Sequence, residues 1–327
     1  MSKRYIDRQR TGTRSFKYFH DGRQITAKSE LAYFKSLAIP PAWKDVKIAA
    51  SHNAKIVATG VDKAGRLQYI YNSKFRARQE KEKFERILRF ARALPKMRRV
   101  TEEHLKQPGL PREKILACIV QLMDKAYFRV GNEQYAKENQ HYGLTTLRSK
   151  HTEVNGDTIV FDFVGKSGQE NLKKVTDKRL AKIVKQLDDL PGYEIFKYID
   201  EEGELKDIHS GDVNEYIKEI MGEEFSAKDF RTWGGTLLAS IELSQIERSH
   251  HENERKKAVT QCVKKVAQKL GNTPAIARAS YIDPRVIHAY VVTNDLYKVR
   301  EAVSKLRRAQ YFTADEHCVL NLLEKST

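Results

Sequence analysis

The 327-residue sequence has few cysteines and no long hydrophobic run. Its three cysteines, Cys118, Cys262 and Cys318, lie far apart, without a C-x-x-C pair or a histidine at zinc-ligand spacing. This spacing argues against a disulfide framework and a zinc site, and it fits a reducing compartment. Nowhere do about 18 uncharged apolar residues follow one another, and MSKRYIDRQR at the start lacks the apolar part of a signal peptide. We therefore expect a cytoplasmic protein that is neither secreted nor membrane-spanning.

The sequence is also short of acidic residues relative to basic ones. Sixty Lys and Arg residues outnumber 43 Asp and Glu residues, which gives a net charge of +17 and a pI of about 9.6. Such an excess favours a polyanion, a nucleic acid, as the partner. Surplus charge also serves solubility alone, so charge leaves that alternative open. With 40% hydrophobic residues, the chain can build one large core or two ordinary ones.

Turn residues separate short β-prone runs near the start of the chain. Asp21-Gly22 stands between two such runs, as in a β-hairpin. Residues 47–72 alternate β-prone runs with Asn, Gly and Asp turns. These features predict a small, basic, β-rich module.

Helical spacing replaces this pattern from about residue 75 onward, so we place a domain boundary near residues 75–90. Leu94-Pro95 is expected to interrupt the first helical stretch. The predicted fold class is α+β, with a small β-rich N-terminal domain over residues 1–80. A larger, mainly α-helical domain is predicted over residues 81–327.

An amphipathic helix is predicted after Pro111, which can open it. Apolar residues recur there at spacings of three and four: Ile115, Ile119, Leu122, Ala126 and Val130. The same periodicity places Arg129 on this helix.

One β excursion interrupts the predicted helices. Asn155-Gly156 is a strong hairpin turn, and a second turn follows at residues 165–168. Alternating apolar residues lie between the two turns: Ile159, Phe161 and Phe163. Lys166 is therefore predicted at a hairpin tip. A nucleotide-binding P-loop is excluded, because that motif needs glycine where this chain has Val160.

The start of another helix is well marked. Ser226 can act as N-cap with Asp229 three residues later, and Phe225 with Phe230 matches a hydrophobic staple. Arg231 then falls in the second helical turn.

Two proline junctions follow a long helix predicted over residues 252–270, which Gly271 ends. Thr-Pro at 273–274 and Asp-Pro at 283–284 each restart a helix. Tyr281 therefore ends a short helix just before a break. Such a position holds the side chain at the rim of the core.

Taken singly, these features have ordinary explanations, since a tyrosine at a helix end usually packs with its hydroxyl on a carbonyl. Six segments are informative together: GRLQYIYNSKF and KEKFERI in the N-terminal part, then YFRVGNEQYAKENQHYGLTTLRSKH, VGKSG, KDFRTWGGT and LGNTPAIARASYIDP. In this order they resemble the type IB DNA topoisomerases, specifically the small poxvirus-type and bacterial branch, over roughly residues 40–290. The resemblance implies a DNA-binding domain over residues 1–80 and a catalytic domain over residues 81–327.

The resemblance implies a catalytic set. Tyr281 in SYIDP matches the nucleophile, Arg129 in FRVGN the first arginine, and Arg231 in DFRTWG the second. Lys166 matches the catalytic lysine on a hairpin tip. Asn272 stands where viral and eukaryotic members have histidine, nine residues before the tyrosine, and bacterial members are similar to this chain there.

These residue types suit strand cleavage. A tyrosine phenol has an ordinary pKa of about 10, so the site must favour the phenolate and an anionic phosphorane. Two arginines can do both, because each guanidinium stays charged and offers several donors. A lysine can protonate the leaving 5′-oxygen, and an asparagine can donate one hydrogen bond to a phosphate oxygen.

The resemblance also implies how DNA is bound. Gln68, Tyr69 and Tyr71 match N-terminal positions that face DNA, and Tyr135 matches one in the catalytic domain. Asn132 replaces a lysine of the viral members, which argues against viral-type sequence preference. We expect a monomer that closes on duplex DNA as a clamp, needs neither metal nor nucleotide cofactor, and is DNA-associated, in the nucleoid if the host is bacterial.

Two alternatives remain at this point. A tyrosine recombinase or integrase shares the layout of Arg, Lys, Arg, His or Asn, and Tyr, but typically has histidine where this chain has Lys228. Its N-terminal module is usually helical, whereas the one predicted here is β-rich. A non-enzymatic DNA-binding protein would need none of the five residues.

Overall fold

The computed structural model describes residues 4–296 and 310–325. Two compact units divide the chain, Met1–Lys83 and Phe84–Thr327. The first is built on an antiparallel sheet and the second is mainly helical. The prediction of a β-rich N-terminal part followed by a larger, mainly helical part is therefore confirmed.

A six-stranded antiparallel sheet forms the N-terminal unit, in the order β3-β2-β1-β4-β5-β6. Its strands are β1 (Tyr5–Arg10), β2 (Phe16–His20), β3 (Arg23–Gln24), β4 (Lys44–Ala49), β5 (Ile56–Val61) and β6 (Leu67–Tyr71). Helix α1 (Lys28–Ser36) contributes Phe34 to a small core that also contains Ile6 and Ile48. The predicted hairpin at Asp21-Gly22 is confirmed, since both residues adopt positive φ between β2 and β3.

Helices dominate the rest of the chain. They are α2 (Ser73–His104), α3 (Arg112–Ala126), α4 (Glu133–Asn139), α5 (Lys178–Asp188), α6 (Ser210–Met221), α7 (Ala227–Ser244), α8 (Glu252–Leu270), α9 (Pro274–Ser280), α10 (Pro284–His288) and α11 (Ala314–Lys325). One continuous apolar core joins α3, α6, α7 and α8 within the second unit. The predicted helix over residues 252–270 is confirmed, and Gly271 ends it in the left-handed conformation.

A three-stranded antiparallel sheet, β7-β8-β9, interrupts these helices, and a two-stranded one follows it. The strands are β7 (Thr152–Asn155), β8 (Thr158–Gly165), β9 (Gln169–Thr176), β10 (Lys197–Ile199) and β11 (Leu205–Asp207). The first hairpin turn is Gly156-Asp157, one residue later than predicted, because Asn155 still pairs with Thr158. The second turn, at residues 166–168, joins β8 to β9 as predicted.

Two predictions about helix ends were wrong. Helix α2 runs through Pro95, because the completely buried Phe90, Leu94 and Met97 anchor it on both sides. Their burial outweighs the hydrogen bond that proline removes. Arg129 does not lie on a helix, because Tyr127 adopts the left-handed conformation (φ 56°, ψ 40°) and ends α3 at Ala126.

The described residues also bear on membrane insertion, metal binding and disulfide bonding. Across residues 4–296 and 310–325, no helix is long and apolar enough to cross a membrane. Within the same residues, no group of three or more His, Cys, Asp or Glu side chains is placed to hold a metal ion. All three cysteines are buried as free thiols.

Candidate active site

Tyr281 is fixed by its backbone at the end of α9. Its N–H donates to the carbonyl of Ala277 (3.0 Å), and its carbonyl accepts from the Thr236 hydroxyl (3.2 Å). Two residues later, the fully buried Asp283 caps α10 and binds Arg285 at 2.7 Å. The half-buried tyrosine therefore lies at the rim of the core, as its sequence context predicts.

Two glycines of α7 allow the chain to approach this helix closely. A Cβ at Gly234 would lie 2.2 Å from the Tyr127 ring, and one at Gly235 would lie 2.6 Å from the Tyr281 carbonyl. Glycine inside a helix costs about 1 kcal/mol relative to alanine. Here it brings the Tyr281 backbone directly against the helix that carries Arg231.

Arg231 is a buried cation at the centre of the site. The predicted start of α7 is confirmed, since the Ser226 N–H donates to Asp229 Oδ2 (2.9 Å) and places Arg231 in the second turn. Its guanidinium donates to the carbonyls of Tyr127 (2.5 Å) and Leu270 (2.7 Å). Its Cζ lies 5.0 Å from the centroid of the Tyr281 ring.

Arg129 lies in the loop that follows α3. That loop packs closely against a neighbouring segment. The N–H of Leu144 donates to the Arg129 carbonyl (3.0 Å), and Gly143 lies so near Gly131 that a Cβ there would clash. The side chain donates to the carbonyl of Gly271 (3.0 Å) and to Asn272 Oδ1. The structure therefore brings Arg129, Arg231, Asn272 and Tyr281 together, although they come from three distant segments.

Two donors in this group are left without a protein partner. Within the described residues, Arg231 Nε and Asn272 Nδ2 are buried and form no hydrogen bond. Buried polar groups normally have partners, so an unpaired pair of donors beside a tyrosine indicates a place for an anionic oxygen ligand.

The pKa shifts agree with a site prepared for negative charge. Burial, followed by the charge of Arg231, lowers the pKa of Arg129 to about 10, and burial also lowers the pKa of Arg231. Burial by itself would raise the pKa of Tyr281, but the charge of Arg231 and a hydrogen bond from its guanidinium outweigh it, together with the charges of Arg129 and the exposed Lys228, and the net pKa is lowered. The site thus favours the phenolate.

Lys166 lies apart from this buried group, on the exposed turn between β8 and β9. The next residue, Ser167, has a positive φ of 63°. Lys166 and Arg129 line one open cavity of about 270 Å³, together with Tyr135 and His141. Lys166 thus lies in the turn of a hairpin, and its catalytic role stays a prediction.

The residues predicted to face DNA lie in both units. In the N-terminal unit, Tyr69 and Tyr71 are exposed on one face of β6, with ring centroids 6.3 Å apart, and Tyr71 stacks at 6.0 Å on Phe75. Gln68 points to the opposite face and donates to Asp62 (2.9 Å). In the second unit, the exposed Tyr135 follows Asn132, which caps α4.

Two polar residues of β9 near this site were missed by the sequence analysis. Asn171 and Lys173 are buried, on the inward side of the strand that also carries Val175. They pair in register with Phe163 and Phe161. The alternation of those phenylalanines could have predicted the burial of both residues, because a residue paired with an inward-facing aromatic also points inward.

Known proteins are similar to this chain in sequence. Residues 72–308 match the family described as "Eukaryotic DNA topoisomerase I, catalytic core", and residues 15–62 match "Bacterial DNA topoisomerase IB, N-terminal domain". The chain is 32% identical over 292 residues to "DNA topoisomerase 1B" of Acanthamoeba polyphaga mimivirus, which covers 87% of each protein. It is 28% identical over 239 residues to "DNA topoisomerase 1B" of Vaccinia virus (strain Copenhagen), covering 71% of this chain and 72% of the viral one.

These matches decide between the alternatives left by the sequence. The catalytic-core match covers more than half of the chain and includes all five predicted catalytic positions. The match to the mimivirus protein extends over most of both chains. The chain belongs to the type IB DNA topoisomerases.

Proposed function

We propose that Tyr281 is the nucleophile with which this enzyme cleaves and reseals one strand of duplex DNA. The phenolic oxygen attacks the scissile phosphorus, a 3′-phosphotyrosyl ester forms, and the bond from phosphorus to the 5′-oxygen breaks. The free 5′-hydroxyl end swivels and then attacks the ester, which restores the strand and releases the tyrosine. Because the ester conserves the bond energy, the cycle uses neither ATP nor a metal ion.

Arg129 and Arg231 stabilise the charge that develops in both steps. Each remains charged at neutral pH and presents several donors to the non-bridging oxygens. Their other donors are held by carbonyls of Tyr127, Leu270 and Gly271, so the forks need little reorganisation when a phosphate arrives.

Lys166 is the general acid that protonates the leaving 5′-oxygen. Its place on an exposed turn, at the cavity shared with Arg129, supports an approach to the phosphate from the solvent side. Asn272 donates its unpaired amide hydrogen to a non-bridging oxygen, since Arg129 already occupies its Oδ1.

One chain acts alone and closes on the duplex as a clamp. The net charge of +17 supports contacts with many phosphates. In the N-terminal unit, the exposed rings of Tyr69 and Tyr71 provide an aromatic surface for DNA, and Gln68 reaches it only by leaving Asp62. Tyr135 contributes a contact beside the cleavage site.

The observation that carries the proposal is the group formed by Tyr281, Arg231, Arg129 and Asn272, with two buried donors unpaired beside a tyrosine of lowered pKa. A tyrosine that merely packed at a helix end would not need this arrangement, because it would bind a carbonyl instead.

A relaxation assay tests it. Supercoiled plasmid, with EDTA and without ATP, should be converted into a ladder of topoisomers by the wild-type chain. Tyr281→Phe removes only the attacking oxygen, so relaxation and the detergent-trapped covalent adduct should both vanish while duplex binding persists. The control Tyr193→Phe changes a tyrosine that is 79% exposed and should relax plasmid normally. An adduct formed by Tyr281→Phe would show that another residue attacks.

A further inference from the structure

Lys173 is a buried cation that the proposed mechanism does not use. It lies on β9, exposes only 9% of its surface, and donates from Nζ to the carbonyls of Ala126 (2.6 Å) and Lys269 (2.9 Å). Ala126 is the last residue of α3, and Lys269 lies in the last turn of α8. One ammonium thus joins the C-terminal ends of two helices.

Lys173 continues a series of contacts made by the two arginines. We call Lys173, Arg231 and Arg129 the cation row. Their carbonyl partners follow one another along both helix ends: Ala126 and Tyr127 at the end of α3, and Lys269, Leu270 and Gly271 at the end of α8. The last carbonyls of a helix carry partial negative charge and lack intrahelical donors, so three cations satisfy them in turn.

The position of Lys173 in the row has a consequence for the site. Arg129 follows Ala126 by three residues, and Asn272 follows Lys269 by three. We propose that Lys173 is a positioning residue, which joins the ends of α3 and α8 and so holds Arg129 and Asn272 at the spacing that one phosphate requires. This inference rests on the proposed function, since it assumes that both residues bind the scissile phosphate.

The surroundings of Lys173 give it a titration near neutrality. The charged groups that face its ammonium are Arg231 and Arg129; α3 and α8 face it with carbonyls, and Phe128 with its ring at 5.3 Å. In register on β8 lies Phe161. Burial, then the charges of Arg231 and Arg129, lower the pKa of Lys173 to about 7.

A phosphate bound between the arginines reverses this effect. Its negative charge favours the ammonium and raises the pKa of Lys173 in the complex. As the pH rises past 7, Lys173 therefore loses its proton more readily in the free protein than in the complex. DNA binding then takes up a proton, so affinity must fall as pH rises through this window.

A kinetic comparison tests the positioning role. Lys173→Met keeps an unbranched side chain, shorter by one atom, and removes its donors. Single-turnover cleavage should slow by about 10²-fold, as for a small misplacement of catalytic groups. The control Lys174→Met changes the exposed neighbour on the outward side of β9 and should cleave at the wild-type rate. If Lys173→Met does not fold, Lys173→Gln replaces it, because its amide still donates to one carbonyl.

A binding experiment separates positioning from mere support of the fold. A short duplex is titrated with Tyr281→Phe and with Tyr281→Phe/Lys173→Met, between pH 7 and pH 8.5 at constant ionic strength. This background prevents cleavage and removes the phenol of lowered pKa. The chain with Lys173 should lose about ten-fold more affinity over this range than the double variant. A residue that only stabilised the fold would leave the two pH slopes equal.

The outcomes distinguish this inference from the proposed function. If the wild-type chain fails to form a covalent adduct, the proposed function is wrong. If it cleaves normally and the two pH slopes are equal, or if Lys173→Met cleaves as fast as Lys174→Met, only the role of Lys173 is overturned. A steeper slope together with slower cleavage by the Lys173 variant supports it.

Discussion

The candidate active site has two halves that the fold holds in different ways. The helix-end half consists of Arg129, Asn272 and Tyr281, which lie where α3, α8 and α9 end, and of Arg231. Arg231 comes from the second turn of α7 and donates to carbonyls at the ends of α3 and α8. The hairpin half consists of Lys166 on the turn between β8 and β9. Carbonyls bind both arginines of the first half, whereas the lysine of the second is exposed.

This difference corresponds to the work proposed for each half. Stabilisation of a developing charge is strongest when the donors are already oriented and shielded from water. A proton donor acts on the leaving oxygen only when DNA is in place, so it can approach from a solvent-exposed turn. In this site, burial therefore coincides with the groups for which preorganisation is proposed, and changing one half at a time tests that relation.

The largest effect of these substitutions is expected in the helix-end half. Arg231→Ala should slow single-turnover cleavage by about 10³- to 10⁵-fold, comparable to the loss of an arginine that stabilises a phosphoryl transition state. It should also lower the free energy of unfolding by about 1–3 kcal/mol, because two buried carbonyls lose their donor. The control Arg89→Ala removes an exposed arginine paired with Glu224 and should change neither quantity much.

If Arg231→Ala lowered stability but left the cleavage rate near that of the wild type, the proposed difference between the two halves would be wrong. In that case Arg231 would only tie helix ends together.

Lys166→Ala should have the next largest effect on cleavage and almost none on stability. The loss of a general acid slows an ordinary phosphodiester by about 10²- to 10⁴-fold. Since Lys166 is exposed, urea unfolding should be unchanged. Lys174→Ala, at an exposed position of the same hairpin, is the matched control, and a similar kinetic loss there would indicate that general positive charge is what matters.

Asn272 should contribute less than either arginine. Asn272→Ala should slow cleavage by about 10- to 10³-fold, as for one lost neutral donor. Asn272→His should keep substantial activity and make the rate depend on pH near 6 to 7, where histidine ordinarily titrates.

Asn272→Asp is the sharper variant, because it caps a helix junction as well as asparagine but sets a carboxylate against the phosphate. A folded Asn272→Asp chain should cleave far more slowly. Cleavage at the wild-type rate would reduce Asn272 to a junction residue.

The smallest effects are expected from glycine-to-alanine substitutions, one in each half of the site. Gly271 at the end of α8 and Gly168 on the hairpin turn both have positive φ, at 61° and 71°. A Cβ at Gly271 would lie 2.2 Å from Asn171 Oδ1, whereas the nearest atom to one at Gly168 is 4.0 Å away. Urea unfolding should show a loss of about 1 kcal/mol for Gly168→Ala and about 3 kcal/mol for Gly271→Ala. Equal losses of unfolding free energy would mean that the helix-end half is packed no more tightly than the hairpin half.

The sequence predicts the local features of the site well. Capping residues mark the start of α7, Gly271 and two Xaa-Pro junctions mark the ends around α8 and α9, and paired turns mark the hairpin of Lys166. Each signal is local, since it depends on side chains within a few residues of one another.

What the sequence could not supply depends on tertiary contacts. The left-handed Tyr127 ends α3 where its ring packs against Gly234 of a distant helix, so the apolar periodicity predicted too long a helix for Arg129. The continuation of α2 through Pro95 likewise depends on core packing. The proposed role of Lys173 depends on the carbonyls of Ala126 and Lys269, which lie 47 and 96 residues away in the sequence.

The most direct test of the two-half account uses a duplex whose scissile 5′-oxygen is replaced by sulfur. A thiolate leaves without a proton, so it needs no general acid, but the phosphate charge still has to be stabilised. Single-turnover cleavage of this duplex is compared for the wild type, Lys166→Ala and Arg231→Ala. The account predicts that Lys166→Ala cleaves it nearly as fast as the wild type while Arg231→Ala remains slow by orders of magnitude. Equal losses for Lys166→Ala on the oxygen and sulfur substrates, or full rescue of Arg231→Ala by sulfur, would contradict it.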